Sequence, residues 1–101
     1  MILVQHKENK FRAYAMQYNP NDMSRLYDEL KRVAGPDAYV AMIQDQYHNC
    51  EIDSCTHYAK PTQRTVAWPW SWILFDPEED FGPYPVSEST LINYYDVIGA
   101  N

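Results

Sequence analysis

Asn19-Pro20-Asn21-Asp22-Met23-Ser24-Arg25-Leu26-Tyr27-Asp28-Glu29-Leu30-Lys31-Arg32-Val33-Ala34-Gly35-Pro36 is the stretch on which the fold turns. Met23, Leu26, Leu30 and Val33, with Tyr27 and Ala34 beside them, recur at helical spacing and make one apolar stripe. Asn21 or Asp22 offers a side-chain oxygen to an otherwise orphan backbone N–H at the start. Gly35 supplies a left-handed cap at the end, and Pro36 forbids continuation. On the wetter side Asp28 and Arg32 stand four residues apart, and an ion pair is expected there. A helix over 23–34 with a single apolar stripe needs a sheet to lie on.

The flanks supply one. Ile2 to His6 reads as a short strand and Lys7-Glu8-Asn9-Lys10 as a polar turn. Residues 11–18 alternate, with Phe11, Ala13 and Ala15 facing one way and Arg12, Tyr14, Met16 and Tyr18 the other. Beyond the helix, 38–48 returns as a strand with Tyr39, Ala41 and Ile43 on one face. Residues 65–76 are rich in β-branched and aromatic side chains and read as the longest strand. Pro69 lacks an N–H and marks an edge or a bulge within it. Residues 77–85 read as a proline- and acid-rich loop. Ser87 or Ser89 then caps a closing helix through Leu91, Ile92, Tyr95 and Ile98 to Gly99. The order β-β-α-β-β-β-α predicts one α+β domain over 1–101. Its antiparallel sheet has about five strands, with one or two helices on one face.

Charge narrows the function. The 101 residues carry a net charge of −6, and it is uneven. Residues 1–50 balance six basic against six acidic side chains, whereas 51–101 set only Lys60 and Arg64 against eight acids. Direct nucleic-acid binding needs a basic patch to displace counterions from phosphates, and the sequence has none. An acidic surface draws basic partners instead. The start of the chain lacks the basic n-region of a leader and no run is long enough to span a membrane, so a cytoplasmic protein is expected.

The segment Tyr47-His48-Asn49-Cys50-Glu51-Ile52-Asp53-Ser54-Cys55-Thr56-His57-Tyr58 is the most distinctive motif. As a hairpin looping at 51–54, it sets Cys50 against Cys55 and His48 against His57. Two thiolates and two imidazoles suit tetrahedral zinc. Drawing all four from one ribbon requires the ribbon to curl. Three readings stay open at this point. They are a zinc site of His48, Cys50, Cys55 and His57, a Cys50–Cys55 disulfide at odds with a reducing cytoplasm, and two reduced cysteines beside ordinary histidines.

Two further groups are candidates for partner binding. Trp68, Trp70 and Trp72 alternate, so a continuous strand puts three indoles on one face, either as core or as an exposed platform. Asp76, Glu78, Glu79 and Asp80 follow directly, with Tyr84 beside them on the proline-rich loop. No phosphate-binding glycine loop, nucleophile triad or H-E-x-x-H helix is present. The expectation is therefore a small acidic protein-binding module. An inhibitor or adaptor that occupies a basic surface of a nucleic-acid-handling protein fits best, by compositional analogy with phage and mobile-element proteins of the anti-restriction or anti-CRISPR type. The alternatives are a zinc-stabilised hairpin domain and, third, a compact enzyme or enzyme subunit.

Overall fold

The structure, a computed structural model, describes residues 1–55, 63–78 and 81–100, with Cys55 and Gln63 described by their backbone. The predicted helix is there as α1, Met23–Ala34. The Asp22 carboxylate caps it, accepting the Arg25 N–H at 3.3 Å. Gly35 ends it at φ 98, ψ 164, a positive-φ conformation that glycine alone adopts without strain, though not the left-handed helical cap expected. Leu26 and Leu30 are buried, and Met23, Val33 and Ala34 pack beside them. The ion pair that forms is Arg25–Glu29 at 3.1 Å rather than Asp28–Arg32.

The described residues form eight strands: β1 Ile2–His6, β2 Arg12–Gln17, β3 Tyr39–Gln44, β4 Cys50–Cys55, β5 Gln63–Ala67, β6 Trp72–Asp76, β7 Phe81–Val86 and β8 Tyr95–Ala100. A seven-residue helix, α2 (Glu88–Tyr94), precedes β8. The fold is α+β, as predicted. Its strands divide into an antiparallel sheet of five, ordered β7-β6-β2-β1-β8, and one of three, ordered β3-β4-β5. α1 packs against β2 and β3, and β5 lies beside β7.

One core holds the two sheets together. From the large sheet come Met16, Tyr18, Ile73 and Phe75, from α1 Leu26 and Leu30, and from the small sheet Val40, Cys50, Ile52 and Ala67. The opposite face of the large sheet carries a second cluster of Val4, Ala13, Ala15, Leu74 and Val86, covered by Leu91 of α2.

Three local readings are corrected. The long strand over 65–76 is two strands in different sheets, because Trp68–Ser71 forms a turn. Ser71 Oγ donates to the Trp68 carbonyl at 2.7 Å and Trp70 sits at φ 66. The closing helix stops at Tyr94, since Tyr95–Ala100 gains a ladder against β1, with a bulge between Leu3 and Val4, Val4 opposite Val97 and His6 opposite Tyr95. The loop over 77–85 ends in β7, an edge strand, where Pro83 and Pro85 are tolerated because one side needs no donors. Gly82, at φ 82, leaves room for the Leu74 carbonyl to approach.

Candidate functional site

The hairpin that was expected to bring cysteines and histidines together has a different register. Its turn lies at residues 45–49, not at 51–54, and β3 pairs with β4 from Tyr39 opposite Cys55 to Gln44 opposite Cys50. Side-chain burial decides this register. Ile52, which the loop reading puts in solvent, is fully buried with Cys50 between the two sheets. Cys50 and Cys55 therefore stand at the two ends of one strand. Five steps of about 3.4 Å separate their backbones by roughly 17 Å. A disulfide needs Cα atoms within about 7 Å, and zinc holds each sulfur at about 2.3 Å, so the structure does not bring these two residues together for either purpose. His57 lies outside the described residues. His48 is exposed on the turn, and among the described residues no three His, Cys, Asp or Glu side chains group as metal ligands. The Cys50 thiol is pushed up to about 11, chiefly by burial and then by the Asp45 and Glu51 carboxylates, so it stays protonated and unreactive.

The tryptophans part company as well. Trp72 begins β6 and packs into the second cluster, where its indole N–H is buried without a hydrogen-bond partner among the described residues. Trp68 and Trp70 remain outside, 44% and 50% exposed. Asp76 accepts the Glu78 N–H in a tight turn, beside a shallow groove lined by Leu3, Arg12, Tyr14 and Val33. Tyr84 is exposed on β7, paired opposite Leu74. Glu79 and Asp80 lie outside the described residues. The expected partner-binding residues are thus distributed over separate surfaces.

What the structure does assemble is the outer face of the small sheet. Alternation along three paired strands turns Val40, Cys50, Ile52 and Ala67 inward. The same alternation turns Tyr39, Ala41 and Ile43 of β3, Glu51 and Asp53 of β4, and Arg64 and Val66 of β5 outward, in rows such as Ile43–Glu51–Val66. Ile43 is 64% exposed and Val66 46%. Arg64 is the only cation in these rows, and it already holds Asp53, with Nε 3.0 Å from one carboxylate oxygen and Nη2 3.5 Å from the other. That bond and the nearby Glu51 charge raise the guanidinium pKa further.

One end of this face is stiffened from below by Tyr18. The buried Tyr18 hydroxyl donates to the His48 carbonyl at 2.6 Å and accepts from Gln44 Nε2 at 2.9 Å. Burial is also the main reason its pKa is raised. The Tyr18 carbonyl accepts the Trp70 N–H at 2.8 Å, and the Tyr18 N–H donates to the Ser71 carbonyl at 2.9 Å. Two turns are therefore tied to one buried side chain and its backbone. Each contains a non-glycine residue at positive φ, His48 at 67° and Trp70 at 66°. For a residue as bulky as tryptophan that conformation is strained, and such strain concentrates at functional positions. The Asp45 carboxylate, accepting the Tyr47 and Asn49 N–H groups at 2.8 and 3.0 Å, completes the first turn and leaves Tyr47 71% exposed.

The outer face therefore displays Tyr39, Ile43, Val66 and, by continued alternation past β5, Trp68, with Glu51 and Asp53 set among them, whereas Tyr47 stands exposed on the turn and Trp70 lines a separate groove with Met1, Gln17, Arg25 and Glu29. Of these, only Trp68 and Trp70 were singled out from sequence. Period-two alternation in Cys50-x-Ile52-x-Ser54 is the signal for the rest, since it sets Glu51 and Asp53 on the wet side of a strand. Comparison with known proteins adds nothing to this geometry: no family model, curated protein or solved structure matches the chain. None of the described helices is long and apolar enough to cross a membrane.

Proposed function

We propose that this chain is a small acidic binding module that seats the outer face of its three-stranded sheet on a basic surface of another protein. It acts by occupancy rather than by catalysis, as an inhibitor or adaptor in the cytoplasm. Nucleic-acid-handling proteins are the partner class favoured, because their phosphate-binding surfaces combine positive charge with room for flat aromatic groups. One observation carries the reading. Exposed aromatic and branched side chains share a face whose one cation, among the described residues, is neutralised by Asp53. Aromatic anchors supply contact energy, and the Glu51 carboxylate, which no ion pair engages among the described residues, sets the sign of the partner.

Affinity capture from cell lysate tests this when the wild type is run beside two charge reversals. Glu51→Lys is expected to release the captured protein, as is rising salt, which screens charges beyond about 8 Å at physiological ionic strength. Glu78→Lys, on the acidic turn of the other sheet, is expected to retain it. Capture indifferent to Glu51 and to salt contradicts the proposal, and loss with Glu78→Lys alone moves the interface to the Asp76–Glu78 turn and Tyr84.

A further inference from the structure

We infer that Arg64 occupies, within the chain, the place that an arginine of the partner takes on binding. The inference rests on the function proposed above and names the chemistry of the contact. Arg64 and Asp53 are directly opposed across β4 and β5. The guanidinium addresses both carboxylate oxygens, the fork geometry that distinguishes arginine from lysine. The Arg64 side chain is 65% exposed and that of Asp53 29%, so the pair sits in water, where such a contact contributes little to the fold. A pair of small structural value on a face built for contact is easily exchanged.

The surroundings favour exchange. Glu51 lies two residues along β4 on the same face, about 7 Å away, and no ion pair engages it among the described residues. A displaced Arg64 can swing toward it on its flexible stem while an incoming guanidinium takes the fork on Asp53. Trp68, exposed just past the end of β5, offers a face on which a second guanidinium stacks. Arg64 is thus an internal competitor. It keeps Asp53 covered against weakly held cations and yields to a partner that presents several arginines at once.

Calorimetric titration with hexa-arginine and hexa-lysine peptides at low salt tests this directly. The wild type is expected to bind hexa-arginine more tightly than hexa-lysine. Arg64→Ala is expected to tighten hexa-arginine binding by about threefold to tenfold, because the competitor is gone. Arg64→Lys, which keeps the charge but loses the fork, falls between the two. Arg32→Ala removes the same charge from α1 and is expected to leave the affinity near wild type. Its melting curve and that of Arg64→Ala should both follow the wild type. Tightening by Arg32→Ala equal to that by Arg64→Ala reduces the effect to net charge and overturns the inference, as do equal affinities for the two peptides. Wild-type binding that Arg64→Ala leaves unchanged or weakens overturns the inference alone. No saturable binding of either peptide by any variant overturns the proposed function with it.

Discussion

The two faces of the three-stranded sheet share backbone, register and strand length, yet they have opposite fates. The inner face sends Val40, Cys50, Ile52 and Ala67 into the core beneath α1 and the larger sheet. The outer face sends Ile43 and Val66 into solvent with Glu51 and Asp53 between them. Strand patterning alone accounts for the first face, because a half-buried sheet needs one apolar side. It does not account for the second, where branched apolar residues sit at positions that polar ones fill at no cost. Surface hydrophobes scattered singly need no explanation, whereas several exposed ones on one face with carboxylates set among them call for one. The difference teaches that folding fixes the composition of one face and leaves the other free for the contact proposed above.

Substitutions on the two faces sharpen the contrast. Ile52→Ala removes buried methyl groups at the shared core, and Leu30→Ala does the same from α1. Each is expected to lower unfolding stability by about 2–5 kcal/mol in denaturant titrations. Ile43→Ala, on the same sheet but outside, is expected to change it by less than about 0.5 kcal/mol. Comparable losses at Ile43 and Ile52 break the distinction between the faces.

The link between the faces is Tyr18. Tyr18→Phe leaves the His48 carbonyl without its donor and removes an acceptor from Gln44, so a loss of about 1–3 kcal/mol is expected. Faster amide exchange should accompany it at Asp45–Asn49 and at Trp70. An unchanged exchange pattern there means that the two turns do not depend on Tyr18.

Cys50 gives the inner face a pH signature. Its thiol binds its proton more tightly folded than unfolded, so its contribution is complete below the ordinary thiol pKa. That contribution is lost as pH rises toward about 11. The stability difference between wild type and Cys50→Ala should therefore shrink across that alkaline range, and a constant difference contradicts the burial of the thiol. A small effect is also expected at Trp70, where glycine adopts positive φ freely. Trp70→Gly should leave stability within about 1 kcal/mol of wild type, by relief of strain. A large loss of stability assigns the indole to the fold instead.

Where the sequence was readable, one local pattern had no rival. The helix over 23–34 carries its stripe, its capping aspartate and its glycine stop, and all three agree. Leu91, Ile92, Tyr95 and Ile98 also keep helical spacing, yet Tyr95–Ala100 is a strand, because β1 offers a ladder that a frayed final turn cannot match. The tryptophan segment misleads for a different reason. Period two holds through Trp68, Trp70 and Trp72, but the strained turn at Trp70 breaks the strand, and no local residue preference announces a tryptophan at positive φ. The candidate site was half legible. Trp68 stands out as a residue, whereas Glu51 and Asp53 look like loop acids until Ile52 is recognised as core.

Which surface a partner covers decides between the faces. Methyl and indole resonances of the chain, recorded free and bound to its captured partner, report this residue by residue. Binding is expected to perturb the Ile43 and Val66 methyls and the Trp68 indole, while Ile52, Ile73 and Trp72 stay in place. A footprint centred on the Asp76–Glu78 turn and Tyr84, or on Val97 and Ile98 of the β8 edge, with Ile43 and Val66 unmoved, contradicts the proposed interface.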